Sequence, residues 1–431
     1  MFRKRFFYCL LSASILFCAS AFGAVPGCSL PTGEGILYDR MLPDSASLDN
    51  HRDNHTPFFR RPLFLTAKYS GGYVLSTDKV LRDDYAIPYA QYWEMKAGLA
   101  ALGNTWQDIE WGMPYYGIGF GVYDFDRRDM GTPLSIYVFQ GATLKRFSDR
   151  LKLNYEWNLG VSFNWKVFDE DTNPTNECIG NKANVYISGN IYLSWALSDN
   201  IDLNVGGMFN HVSNGAVKMP NSGINTAGGY LELRYNFNRD RVRNSYNPLL
   251  EAPPYKGHFL SDFMLHGTMR QRKVNPNTYG LASQYVDHNF FVMGFSYALL
   301  RQPGHRFRYG LGLDLIYDES ACFTPRAVGT KPNGKEIVEV RYGDMENRFS
   351  LGVSARGELV QSAYTIFALV GYNVIHGNKW DLRFYQQVGI KVPFWDNLYG
   401  TFSIRSKRFA KAQYLFFGMG YRLPHGKKSG S

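Results

Sequence analysis

Leu151-Lys152-Leu153-Asn154-Tyr155-Glu156-Trp157-Asn158-Leu159-Gly160-Val161-Ser162-Phe163-Asn164-Trp165-Lys166-Val167 decides the fold of this chain. Every odd position is apolar, while Lys152, Asn154, Glu156, Asn158, Ser162, Asn164 and Lys166 occupy even ones. Residues i and i+2 of a strand share a face, so one side of this strand is greasy and the other polar. A soluble sandwich would bury the greasy side beneath a second sheet, and its strands are usually shorter. A long strand with aromatics near its ends suits a barrel with hydrocarbon outside and a polar interior. Val185–Leu197 and Phe307–Tyr317 alternate almost as cleanly.

Working outward, segments of this kind recur from about residue 62 to 423, roughly sixteen in all. Connections after odd-numbered segments are long (77–87, 168–181, 271–284, 319–343), and those after even-numbered ones are often tight, as at Ser198-Asp199 and near Leu359-Val360. Outer-membrane barrels have this asymmetry, with long loops outside and short periplasmic turns. The pattern predicts an all-β, antiparallel transmembrane barrel. A single large barrel of roughly 14–16 strands is the first expectation and two eight-stranded barrels the alternative. Asn238–Tyr255, with Pro248 and Pro253-Pro254, breaks the alternation of loop lengths, as a long periplasmic turn or a linker between two smaller barrels would. A faint repeat sets Phe209–Asn214 opposite Tyr372–Asn378, and Val167–Glu170 opposite Ile316–Glu319.

Composition agrees. Aromatics make up 16% of the chain, 43 residues are glycine, and only 19% are charged, too few for a disordered chain. Residues 1–24 read as a secretory signal: Arg3, Lys4 and Arg5, an apolar Phe6–Cys18, then a small-residue cleavage site at Ala19–Gly23. The signal removes three positive charges from a net +10, and the remaining basic balance is compatible with anionic lipid headgroups. Export and the lack of a nucleic-acid motif argue against a nucleic-acid partner. Cys28, Cys178 and Cys322 follow the signal without metal-ligand spacing, so no metal site is expected; Cys178 and Cys322 lie in loops and could pair in an oxidising compartment.

The chemistry concentrates at Asn210-His211-Val212-Ser213-Asn214-Gly215, with Asn225 twelve residues beyond the serine. His211 and Ser213 share parity with Ile201, Leu203, Val205 and Phe209, and Asn225 shares it with Ala227, Leu231, Leu233 and Tyr235. A hairpin over Gly215–Ile224 would therefore set Ser213, His211 and Asn225 together on a lipid-facing surface. Polar side chains there are costly unless functional. A serine hydroxyl needs a neighbouring base, which His211 can be. The imidazole needs an acceptor to fix its tautomer, which the Asn225 amide can be, and backbone N–H groups near Asn214 and Gly215 can meet the oxyanion. Lys218, Arg127 and Arg128 are loop cations that could meet phosphates, though such residues are ordinarily just solvated. Glu232, of opposite parity, should turn inward with Arg234 as partner, and His376, lacking a serine, reads as a loop or girdle histidine.

His211-x-Ser213-Asn214-Gly215, followed by Pro220-Asn221-x-Gly223-Ile224, resembles the signature of outer-membrane lipid A 3-O-deacylases, or acyloxyacyl hydrolases. The resemblance covers about residues 205–237 and implies an eight-stranded barrel, Ser213 as nucleophile, His211 as base and Asn214 supporting the oxyanion hole. The family's acidic third member falls at Asn225, and a His-x-Ser pair with a later Asn is also similar to outer-membrane phospholipase A. That second likeness would bring calcium dependence and dimerisation, although no calcium ligand set stands out; the first needs no cofactor. Lipid A or lipopolysaccharide is thus the first expected substrate and phospholipid the second, at the outer-leaflet side of a Gram-negative outer membrane. A passive channel or structural barrel is the competing class. The expected organisation is signal (1–24), N-terminal periplasmic segment (25–61), deacylase-like strands (62–238), turn or linker (239–255), further barrel strands (256–423) and polar tail (424–431).

Overall fold

The computed structural model describes residues 61–75, 87–332, 334–407 and 411–425. The expected signal, Cys28 and nearly all of the N-terminal segment lie outside the described residues. The first eight strands are β1 (Leu63–Val74), β2 (Tyr89–Ala100), β3 (Tyr115–Asp124), β4 (Gly131–Arg146), β5 (Leu151–Trp165), β6 (Asn184–Ala196), β7 (Ile201–Ser213) and β8 (Ile224–Asn236). The remainder are β9 (His258–Arg270), β10 (Phe290–Gln302), β11 (Phe307–Asp318), β12 (Thr324–Thr330), β13 (Glu336–Arg341), β14 (Phe349–Val360), β15 (Thr365–His376), β16 (Phe384–Trp395), β17 (Leu398–Lys407) and β18 (Lys411–His425). All pair antiparallel with their neighbours, and β12 and β13 form a separate two-stranded sheet inside the loop after β11.

The expectation of one large barrel is corrected: the alternative holds, with two closed barrels of eight strands each. The reason is the edge of β8. It pairs back onto β1 from Phe64↔Asn236 to Val74↔Thr226, so the first sheet has no free N–H and C=O row left to recruit β9. Strand β9 pairs with β18 instead, closing the second barrel. One division between the two compact units falls at Pro253-Pro254, within the segment that broke the loop rule, which carries a short helix at Arg239–Ser245. The faint repeat relates the fifth and seventh strands of the first barrel to the third and fifth of the second, so its two halves do not occupy equivalent places. The last strand runs to His425, into the stretch expected as polar tail.

Alternation explains each wall. Along β7, Ile201, Val205 and Phe209 are exposed while Asp202, Asn204, Met208 and Asn210 are buried. An eight-stranded barrel is just wide enough for side chains to fill it. In the first, Lys96 bridges Glu156 and Glu232, each at 2.7 Å, and Lys68 meets Glu94 at 2.8 Å. Tyr92, Tyr123, Tyr137 and Tyr186 fill the space around them, all fully buried. The second interior is also charged, with Lys391 joining Asp262 and Glu358 and Arg422 reaching both. Glu232 turns inward as expected, but its partners are Lys96 and, at 2.7 Å, Asn204. The expected partner Arg234 instead lies over the Phe64 ring at 3.5 Å. Cys178 and Cys322 are not joined to each other in a disulfide.

Candidate active site

Strand β7 delivers His211 and Ser213 at its loop end, and β8 starts opposite them. The register pairs His211 directly with Asn225, and at 2.7 Å His211 Nδ1 meets Asn225 Oδ1. That oxygen can only accept, so Nδ1 carries the proton and the lone pair lies at Nε2. A histidine in this tautomer can take a proton at Nε2 from a hydroxyl on the same strand face.

The loop from Asn214 to Gly223 folds back over the serine. Asn221 Nδ2 donates to Ser213 Oγ at 2.9 Å, and the Asn214 N–H donates to Asn221 Oδ1 at 3.1 Å. A serine oxygen that accepts from Asn221 keeps its own proton to give away. Ser213 keeps the outward parity expected of it, yet it is only 6% exposed; it is sheltered rather than open on the wall. Asn214 and Gly215 are buried beside it, and Lys218 is exposed on the loop. Arg127 pairs with Asp129 at 2.8 Å.

Glycine is required at Gly223, where φ is +69° and a Cβ would stand 3.3 Å from Ser213 Cβ and 3.5 Å from His211 Cε1. The loop is seated from below by residues 176–178. The Ser222 and Gly223 N–H groups donate to the Glu177 and Cys178 carbonyls at 3.4 and 3.1 Å. The Asn176 side chain holds that support in turn, donating to the Lys166 carbonyl at 2.7 Å and accepting from the N–H groups of Cys178 and Ile179. Asn221 stood within the quoted motif but carried no expected role. Its signal was an asparagine in an aperiodic loop, where no parity says which way a side chain turns.

Two family models match the chain: lipid A 3-O-deacylase (PagL) over residues 67–234, and acyloxyacyl hydrolase, C-terminal domain, over residues 262–426. The chain belongs to the lipid A 3-O-deacylase family. It is an outer-membrane lipid A deacylase, with one matched region in each barrel. No curated protein matches it. Among solved structures it is similar to neisserial surface protein A, at 11% identity over 41% of this chain and 97% of that one, with a TM-score of 0.27. It is also similar to the siderophore receptor PirA from Acinetobacter baumannii, at 12% identity over 80% of this chain and 56% of that one, with a TM-score of 0.23.

In this deacylase the first barrel holds the Ser-His-Asn set. His376, the histidine of the faint repeat, ends β15 of the second barrel, and its Nε2 lies 3.0 Å from the Asp381 carbonyl oxygen.

Proposed function

We propose that the deacylase is a serine esterase with Ser213 as nucleophile, His211 as general base and then acid, and Asn225 as the group that orients His211. Ser213 Oγ attacks the acyl carbonyl carbon and its proton passes to His211 Nε2. The oxyanion meets the Gly215 N–H and the Asn214 N–H, which exchanges its bond to Asn221 Oδ1 for the oxyanion, and collapse expels the lipid A hydroxyl, which takes the proton from His211. Water, deprotonated by His211, then frees the acyl chain from Ser213 as a fatty acid. The observation that carries this reading is the 2.7 Å bond from His211 Nδ1 to Asn225 Oδ1, because it leaves the base's lone pair at the right nitrogen. Asn221 is a positioning residue for the Ser213 hydroxyl.

Asn225→Ala should slow lipid A hydrolysis about 10- to 100-fold, the kinetic equivalent of leaving one buried donor unsatisfied. Glu232→Gln should leave kcat near normal, since Glu232 belongs to the interior network. Rates in the reverse order would rule out Asn225 as the orienting group.

The loop end of the first barrel is read as the cell-surface end, so that lipid A reaches Ser213 by diffusion in the outer leaflet. A cysteine introduced by Ser222→Cys, in a background without Cys28, Cys178 and Cys322, should react with an impermeant thiol reagent on intact cells. Labelling only after the envelope is opened would invert this topology.

A second reading, phospholipid hydrolysis, has Asn225 in its favour, because an amide stands where the deacylase motif has a carboxylate. The first reading needs no metal. Lipid A hydrolysis should therefore survive excess EDTA unchanged, whereas calcium-dependent release of fatty acid from phospholipid vesicles would favour the second.

A further inference from the structure

The turn end of the second barrel carries a cluster that deacylation does not use. Three neighbouring strands contribute to it: Phe259 on β9 pairs with Arg301 on β10 and, on its other side, with His425 on β18. The Arg301 guanidinium stacks over the Phe259 ring at 4.9 Å and lies so close to the chain that a Cβ on Gly257 would sit 2.8 Å from its Nη2. Stacking occupies the face of a guanidinium and leaves its in-plane N–H groups for an acceptor. His425 is held through Nε2, 2.8 Å from Ser261 Oγ, which also lies 3.3 Å from the Tyr297 hydroxyl. That contact fixes the ring and leaves Nδ1 for a ligand.

The exposed charges next to the cluster in the chain are mainly basic. Lys256 and Arg306 are exposed nearby, and His258 and His305 pack around Tyr255. Among the described residues, the exposed acids in the turns and the segment leading into this end are Glu251 and Asp396. The acids behind the wall, Asp262 and Glu358, are already held by Lys391 and Arg422. Phe307, Tyr309 and Tyr421 are exposed around the cluster beside Leu423, the aromatic girdle that marks headgroup depth in a membrane barrel. A guanidinium and an imidazole at that depth, bracketing an apolar ring, suit a lipid that has an anionic head and hydrocarbon tails.

We propose that this end of the second barrel binds an anionic glycerophospholipid, with Arg301 and His425 contacting its phosphate on either side of Phe259. Two strand spacings separate them by roughly 9–10 Å, room for one headgroup, and the acyl chains run along Phe263, Leu265 and Leu299. The headgroup preference does not depend on which leaflet this end meets.

The test is native mass spectrometry of the full chain in detergent with equimolar dioleoyl phosphatidylglycerol and dioleoyl phosphatidylcholine. Wild type should retain phosphatidylglycerol about fivefold or more over phosphatidylcholine. Arg301→Gln should cut that excess about fivefold, the effect of one cation near a lipid surface, while Arg301→Lys keeps most of it. His425→Gln, at the exposed end of the last strand, supplies an independent loss should Arg301→Gln fail to fold. Lipid A hydrolysis should continue at the wild-type rate in both variants, which separates this site from Ser213. Equal retention of the two lipids by wild type, or an undiminished excess in Arg301→Gln combined with His425→Gln, would overturn the proposal. So would displacement of the lipid by equimolar inorganic phosphate.

Discussion

Ser213→Ala is expected to lower lipid A deacylation by roughly 10⁴-fold or more, and His211→Ala by a similar factor. Each removes one half of a single proton transfer, so the double variant should be scarcely slower than either single one. Mass spectrometry of lipid A after incubation with purified protein reads the result. The shelter around Ser213 sharpens the control: its hydroxyl accepts from Asn221, so Ser213→Ala also leaves an amide N–H without that acceptor. The barrel should nevertheless stay folded, because the strand pairings of β7 and β8 are made by backbone groups. Heat-shifted electrophoretic migration would confirm a closed barrel. Most activity surviving in a folded Ser213→Ala protein would end the serine mechanism.

Lys96→Met should be the most damaging single change to stability. The ammonium group is buried between Glu156 and Glu232, 2.7 Å from each, and its removal leaves two carboxylates facing one another in a packed interior. Breaking a buried ion pair from one side costs about 3–5 kcal/mol, and here two partners are left at once. The midpoint of unfolding in urea should fall accordingly. Lys96→Met combined with Glu156→Gln and Glu232→Gln should recover much of that loss, because the penalty arises from uncompensated charge. No recovery in the triple variant would mean that Lys96 contributes mainly by packing.

Much of the first barrel's wall was legible in Leu151–Val167 and Ile201–Asn214. Side-chain direction in a strand follows parity, and parity is a local property of the chain. The inward turn of Glu232 and the outward parity of His211, Ser213 and Asn225 follow from that rule, as does the facing of His211 by Asn225 once a hairpin joins their strands. Glu232's partner did not follow, since Lys96 belongs to a strand more than a hundred residues earlier and parity is silent about which inward residues meet across a lumen. Asn221 and the loop's seating on residues 176–178 were equally hidden, because an aperiodic loop has no face until something packs against it.

The sequence by itself determined that this chain crosses a membrane in alternating strands, and which residues at the end of β7 have outward parity. Only the tertiary structure decided that sixteen barrel strands close as eight and eight. Alternation is the same in a small barrel and a large one. Closure depends on where β8 finds its hydrogen-bond partner, and β1 satisfies that edge before β9 can.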